Sequence, residues 1–169
     1  KQQLVKTARD LGFDAPITPG VPAQRGRFPL PRDDAEFAAA SFGQGRVLAS
    51  PLNMAAVAAA AKSGSWRSPQ FVANGGARQT VRRLDPGVVS GLQTMMSAVV
   101  TNGTAKAARL PAGTAGKTGT AEYGTGAKPP THAWFIGYRG DLAFAVIVEG
   151  GGTGGDVAAP LAAAFLRGL

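Results

Sequence analysis

The sequence of 169 residues predicts an α/β chain of the α+β type, an antiparallel sheet flanked by helices. Three observations carry this. Apolar residues recur at helical spacing in several stretches up to about Thr101, and the period falls to two after Gly116. Arg139-Gly140-Asp141 then forms a tight turn signal between two alternating segments, which marks an antiparallel hairpin.

Taken in order, Leu4, Ala8 and Leu11 sit at helical spacing, with Gly12 placed to stop a short amphipathic helix. Prolines at 16, 19, 22, 29 and 31 remove backbone donors and fix φ, so Asp14 to Pro31 reads as an extended surface loop. Asp33-Asp34-Ala35-Glu36 opens one or two helical turns, followed by the polar, glycine-containing turn SFGQGRVLAS. Ser50 caps the clearest helix, Pro51 suits its first position, and Lys62-Ser63-Gly64 ends it. That helix is apolar almost all round, as a buried helix is.

Two short alternating segments flank Asn74-Gly75-Gly76, a hairpin signal. Asp85-Pro86 caps a second helix from Gly87 to about Thr101, with Val88, Leu92, Met95, Met96 and Val99 read as its packed face. KTGTAEY, AWFIGYR and LAFAVIV read as three strands, the first turning through Gly124–Thr131. Gly150–Gly155 is expected to be a flexible loop, and Asp156–Leu169 a closing Ala-rich helix. No internal repeat and no linker divides the chain, so residues 1–169 are expected to form part of one domain.

Composition narrows the chemistry. A hydrophobic fraction of 44% with 17% charged residues describes a folding chain. Zero cysteines exclude disulfides, thiolate zinc sites and a thiol nucleophile, and a single histidine, His132, excludes a multi-histidine metal site. No metal and no cofactor is expected. The net charge of +8 favours anionic partners, yet Arg82-Arg83 is the one adjacent basic pair, so no dense stripe for nucleic acid exists. The longest apolar runs, Met54–Ala61 and Leu142–Val148, fall far below the roughly 20 residues of a membrane span. The opening KQQLVKTARDLGF has neither Met nor a leader, which predicts a start within a longer polypeptide.

Gly116-Lys117-Thr118-Gly119-Thr120-Ala121-Glu122 is the string that carries chemistry. A phosphate-binding loop competes for it, because Gly116-Lys117-Thr118 matches the end of G-x-x-x-x-G-K-[ST]. The first glycine of that pattern would fall on Pro111, and the residues after Lys117 do not open a helix. As part of a strand, Lys117, Gly119 and Ala121 face one side and Thr118, Thr120 and Glu122 the other. A cation, a hydroxyl and a missing side chain together suit a cleft that binds a carboxylate, and a strand-edge amide can hold an oxyanion.

The surroundings of that string resemble the penicillin-binding proteins, in particular the C-terminal half of a class B DD-transpeptidase domain. Ser41-Phe42-Gly43-Gln44-Gly45 resembles the family's [SA]-[IF]-G-Q-G, and Ser50-Pro51-Leu52-Asn53-Met54-Ala55 resembles its [ST]-P-L-Q-M-A. AGKTGTAE at 115–122 resembles its KTG strand, and His132-Ala133-Trp134-Phe135-Ile136-Gly137-Tyr138 its A-W-F-x-G-[FY] strand. The resemblance implies the penicillin-binding transpeptidase and serine β-lactamase-like fold. It implies that Lys117, Thr118 and Gly119 form the third catalytic motif, that Thr118 and Thr120 bind the substrate's terminal carboxylate, and that the Thr120 backbone N–H is an oxyanion donor. The family's serine, activated by a lysine, attacks the D-Ala-D-Ala bond of a peptidoglycan stem peptide, and the acyl group passes to an amine of a neighbouring stem. β-Lactam antibiotics are trapped at the acyl stage. The location implied is the outer face of the cytoplasmic membrane, with an anchor upstream, in wall synthesis serving cell shape and division.

The sequence departs from the family in one respect. None of Ser41, Ser50, Ser63, Ser65, Ser68, Ser90 and Ser97 has Lys three residues on or Asn two residues on, so S-x-x-K and S-x-N are both missing. The chain is therefore expected to be inactive alone and to need the N-terminal half of the domain as its partner; an open sheet edge is expected where that half would pack. The alternatives are a DD-carboxypeptidase or serine β-lactamase of the same superfamily, or a non-catalytic β-lactam sensor or binding fragment. Trp134, Phe135, Met95 and Met96 read as packing residues, His132 as a hydrogen-bonded structural residue, Glu122 as solvated, and Gln44 as the brace of its loop.

Overall fold

The computed structural model describes residues 1–17, 20–71 and 79–169. α1 (Gln2–Asp10) buries Val5 and Ala8. The proline-rich segment after it is irregular where described, and its Phe28 meets Phe13 edge-to-face at 5.7 Å. In α2 (Asp34–Ser41) the Asp33 carboxylate accepts the Glu36 N–H at 2.8 Å, while the Glu36 carboxylate reaches back to the Arg32 N–H. The first bond satisfies one of the amides that a helix start leaves unpaired, and the second ties down the residue before the cap. α3 (Pro51–Ser63) starts on Ser50, whose hydroxyl accepts the Asn53 N–H, and stops at Gly64. Its apolar circumference is matched by burial: no residue from Leu52 to Ala61 is exposed.

β1 (Ser65–Arg67) and β2 (Val81–Arg83) pair antiparallel, as the flanking segments predict; the turn expected at Asn74-Gly75-Gly76 lies outside the described residues. α4 (Pro86–Thr101) corrects the predicted packed face. Met96 is buried and Leu92 and Val99 pack inward, but Val88 and Met95 are 50% and 60% exposed. The packed stripe is rotated towards Gln93, whose amide donates to the carbonyls of Ala61 and Lys62 at 3.1 and 3.0 Å. A polar residue thus faces the neighbouring helix because it satisfies the orphan carbonyls at the end of α3.

β3 (Ala115–Glu122), β4 (Thr131–Arg139) and β5 (Leu142–Val148) form an antiparallel meander in the order β3-β4-β5. β3 is an edge strand among the described residues. One face of this sheet presents Ala133, Phe135 and Phe144 to Ala158, Ala159, Ala162 and Leu166, with α5 (Ala159–Arg167) lying over it. Phe135 is fully buried, a gain of about 2–3 kcal/mol for one such side chain. The other face joins Ala115 and Tyr138 to Ala61 of α3 and Met96 of α4. Burial there pushes the Tyr138 hydroxyl above its ordinary pKa.

The loop expected over Gly150–Gly155 ends early. Gly154–Ala158 is a π-helical turn capped by Thr153 and continuous with α5. Gly154 and Gly155 belong to it because backbone comes close on two sides, the sheet for Gly154 and the Thr104 carbonyl, 2.6 Å from where a Cβ would stand, for Gly155. A Cβ on Gly154 would stand 2.3 Å from the Trp134 carbonyl oxygen and 2.4 Å from that of Gly119. Among the described residues no helix is long and apolar enough to cross a membrane.

Candidate active site

The register of β3 against β4 decides what its edge offers. Lys117 stands opposite Ile136, Thr118 opposite Phe135, Gly119 opposite Trp134 and Thr120 opposite Ala133. One residue past the strand, the Tyr123 N–H donates to the Pro130 carbonyl at 3.0 Å in the same register. Hydrogen-bonded and non-hydrogen-bonded pairs alternate along an antiparallel ladder, and both main-chain groups of a residue point the same way. Odd-numbered residues of β3 therefore bond to β4, and Thr118 and Thr120 turn their N–H and C=O groups towards the open edge.

Side chains alternate across the same strand as the sequence predicts. Thr118 and Thr120 lie on the α5 side, where their opposite residues Phe135 and Ala133 belong to the core. There the Thr118 hydroxyl lies 2.6 Å from that of Thr104, in the segment after α4, and the Thr120 hydroxyl accepts the Gly154 N–H at 3.4 Å. Lys117 points to the other side and is exposed, its ammonium donating to the Thr118 carbonyl at 2.7 Å. Gly119 has no side chain where one would crowd the Cβ of Trp134, at 3.2 Å. A cation, two hydroxyls, an outward amide and a bare glycine thus share one strand edge. That set can receive a carboxylate and an oxyanion from an extended ligand lying along it.

Gln44 reaches this edge from far away in sequence: its side-chain amide donates to the Thr120 carbonyl at 3.0 Å. The expected brace is therefore a brace of the strand. Gly43 and Gly45 have φ of +85° and +75°, a conformation that disfavours any other residue, and they hold Gln44 at the tip of a tight turn. The turn is fastened at both ends. The Gln44 N–H donates to the Ala39 carbonyl, and the Arg46 guanidinium bonds the Glu36 carboxylate and the Leu30 carbonyl. Arg46, followed by the main chain and side chain of Arg32, holds the Glu36 pKa down to about 2.

The remaining candidates serve packing, hydrogen bonding or solvation. The His132 ring stacks on Tyr123 at 4.0 Å and its Nδ1 accepts the Gly150 N–H at 3.2 Å, as a hydrogen-bonded structural residue does. Glu122 is exposed at the end of β3, and Phe135 is core. Among the described residues no three His, Cys, Asp or Glu side chains gather as a metal site would require. Sequence reasoning missed Thr104 and Gly154, which touch the two threonines of β3. No short-range pattern pairs residue 104 with 118 or 154 with 120, although the glycine pair at 154–155 could have signalled a close approach.

Comparison with known proteins gives a consistent result. Residues 1–167 match the model of the penicillin binding protein transpeptidase domain. The chain is 32% identical over 188 aligned positions to the peptidoglycan D,D-transpeptidase PbpA of Mycobacterium tuberculosis, covering 97% of this chain and 38% of that protein. The protein of that name in Mycolicibacterium smegmatis is 33% identical over 189 positions, with 97% and 38% covered. The crystal structure of PBPA from Mycobacterium tuberculosis superposes with a TM-score of 0.84 at 28% identity, covering 99% of this chain and 45% of that one. The D,D-transpeptidase domain of a peptidoglycan glycosyltransferase from Eggerthella lenta shares the fold, with a TM-score of 0.73 at 24% identity over 99% of this chain and 48% of that one. The chain thus spans 38% of the length of these curated relatives.

Proposed function

The chain belongs to the penicillin-binding protein transpeptidase family, and from that membership we propose that it supplies the KTG strand of a serine DD-transpeptidase that cross-links peptidoglycan. The observation that carries this is the edge of β3, where Thr118 and Thr120 turn their main-chain groups outward beside the exposed Lys117. In this reading Lys117, Thr118 and Gly119 are catalytic. Thr118 and Thr120 receive the terminal carboxylate of a D-Ala-D-Ala stem, and the Thr120 N–H receives the oxyanion. The nucleophile and its lysine base come from an S-x-x-K segment outside these 169 residues, since no serine here stands in that pattern.

An acyl-enzyme forms when that serine oxygen attacks the D-Ala-D-Ala carbonyl and the terminal D-Ala leaves as the amine; a second stem's amine then displaces the serine. Transpeptidation is favoured over carboxypeptidase or β-lactamase chemistry by the name carried by the relatives, whose likeness runs through 97% of the chain. β-Lactams are the matching inhibitors, and the outer face of the cytoplasmic membrane, where such stems lie, is the proposed location.

A labelled penicillin tests the reading. The parent polypeptide, carrying this chain and an S-x-x-K segment, is expected to retain covalent label on a serine outside residues 1–169. Absence of label on the parent would overturn the enzyme reading, and label on the isolated chain would overturn the external nucleophile. Given a stem-peptide donor and an amine acceptor, the parent is expected to form cross-linked product in excess of hydrolysed donor.

A further inference from the structure

We propose that Gln44 is a positioning residue for the acyl-transfer strand, acting through the main chain of Thr120 rather than through contact with the reacting atoms. This rests on the reading of β3 given above.

An edge strand lacks the second neighbour that fixes the peptide planes of an interior strand, so its outward groups are free to tilt. The outward groups of β3 are the ones proposed to meet ligand. Among the described residues, two side chains engage them. Lys117 bonds the Thr118 carbonyl, a contact within the strand itself, whereas Gln44 bonds the Thr120 carbonyl from another element. The Gln44 amide thus takes the place of a neighbouring strand's N–H at one position and fixes the Thr120–Ala121 peptide from outside.

Its support is stiff. Glycine turns at 43 and 45 fix the direction of the side chain, a main-chain bond to Ala39 seats the turn on the end of α2, and the Arg46–Glu36 pair holds the segment that follows. A carbonyl has two lone pairs, so Thr120 can keep this bond while a ligand donor takes the other. On the α5 side, the Thr120 hydroxyl is held by the Gly154 N–H. Thr120 is gripped at its carbonyl and at its side chain, and its N–H is left facing the edge. A donor fixed in direction before reaction stabilises developing charge without reorganising, so the contact should matter more in the transition state than in the bound complex.

The test is the acylation kinetics of the parent polypeptide with a chromogenic cephalosporin, resolved into the maximal rate and the half-saturating concentration. Gln44→Met keeps the length of the side chain and loses the donor. It is expected to lower the maximal rate about 3- to 10-fold, the scale of one neutral hydrogen bond, with half-saturation within about 2-fold of wild type and an unchanged melting temperature. Gln44→Lys, which restores an N–H donor, is assayed at about 1 M salt, where charges more than about 3 Å apart are largely screened and its longer-range charge effect is suppressed; it is expected to recover the rate to within about 2-fold. An unchanged rate in Gln44→Met, a change confined to half-saturation, a fall in melting temperature that accounts for the lost rate, or no recovery with Lys each overturns the proposal. Failure of the wild-type parent to acylate overturns the functional reading instead, so the two failures are distinguishable.

Discussion

The Thr104 and Thr118 hydroxyls lie 2.6 Å apart, so one donates to the other. A carboxylate arriving at Thr118 must accept that residue's proton, which leaves Thr104 as the donor and Thr118 as the link between it and the ligand. Thr104 therefore sets the direction in which the Thr118 hydroxyl points when ligand is bound. Thr104→Val is expected to raise the half-saturating concentration for acylation of the parent polypeptide about 3- to 10-fold, with the maximal rate little changed. Thr104→Ser should stay near wild type. Equal half-saturation in Val and wild type would show that the pair does not act on ligand.

Gly154→Ala sets two effects of opposite sign against each other. Replacing glycine by alanine in a helical turn gains up to about 1 kcal/mol of propensity. Against it, the new Cβ would fall 2.3 Å from the Trp134 carbonyl oxygen and 2.8 Å from the Gly119 nitrogen, backbone atoms of paired strands that cannot rotate aside. Overpacking of this kind costs typically 1–3 kcal/mol, roughly, so the clash wins. A lower urea midpoint is expected for Gly154→Ala; a higher one would mean that the π-helical turn does not sit against β3 and β4.

The Glu36 cluster gives the chain an acid sensitivity of known sign. Arg46 and Arg32 lower the carboxyl from its ordinary 4.5 to about 2 in the folded chain. A depressed carboxyl contributes stability that is complete above the unfolded value and is lost as pH falls towards the folded one. Between about pH 4.5 and 2 the wild type should lose stability more steeply than Glu36→Gln, which lacks this contribution at every pH; the two should converge at the acid end. Urea midpoints across that range provide the measurement, and parallel curves would rule out the ion cluster as the cause.

Much of this fold is written in local signals. The alternation of AWFIGYR and LAFAVIV about Gly140, the Ser50-Pro51 start and the Asp33 and Asp85 caps depend on near neighbours, and each element formed where its residues place it. Misread positions depend on distant partners. Gln93 looks like a solvent-facing residue until the end of α3 supplies its acceptors, and counting Val88 and Met95 as packed follows from leaving it out. Gly154 looks like loop until the Gly119–Trp134 pair is seen beneath it. At the site, the side to which Lys117, Thr118 and Thr120 point follows from strand alternation. What holds them, Gln44, Thr104 and Gly154, depends on packing that no short-range pattern encodes.

The separation of 76 residues between Gln44 and Thr120 also orders the events of folding. The β3-β4-β5 meander closes through short connections, so its pairing is fast and local, whereas the Gln44 contact must wait for a long loop to close. The sheet is then a scaffold that exists before its edge is finished, and the reverse journey should begin at the same place. Native-state hydrogen exchange is expected to release the amides of α2 and the Gly43–Gly45 turn at lower opening free energy than those of Ala133 and Phe135. Equal opening energies would instead make edge and scaffold one cooperative unit.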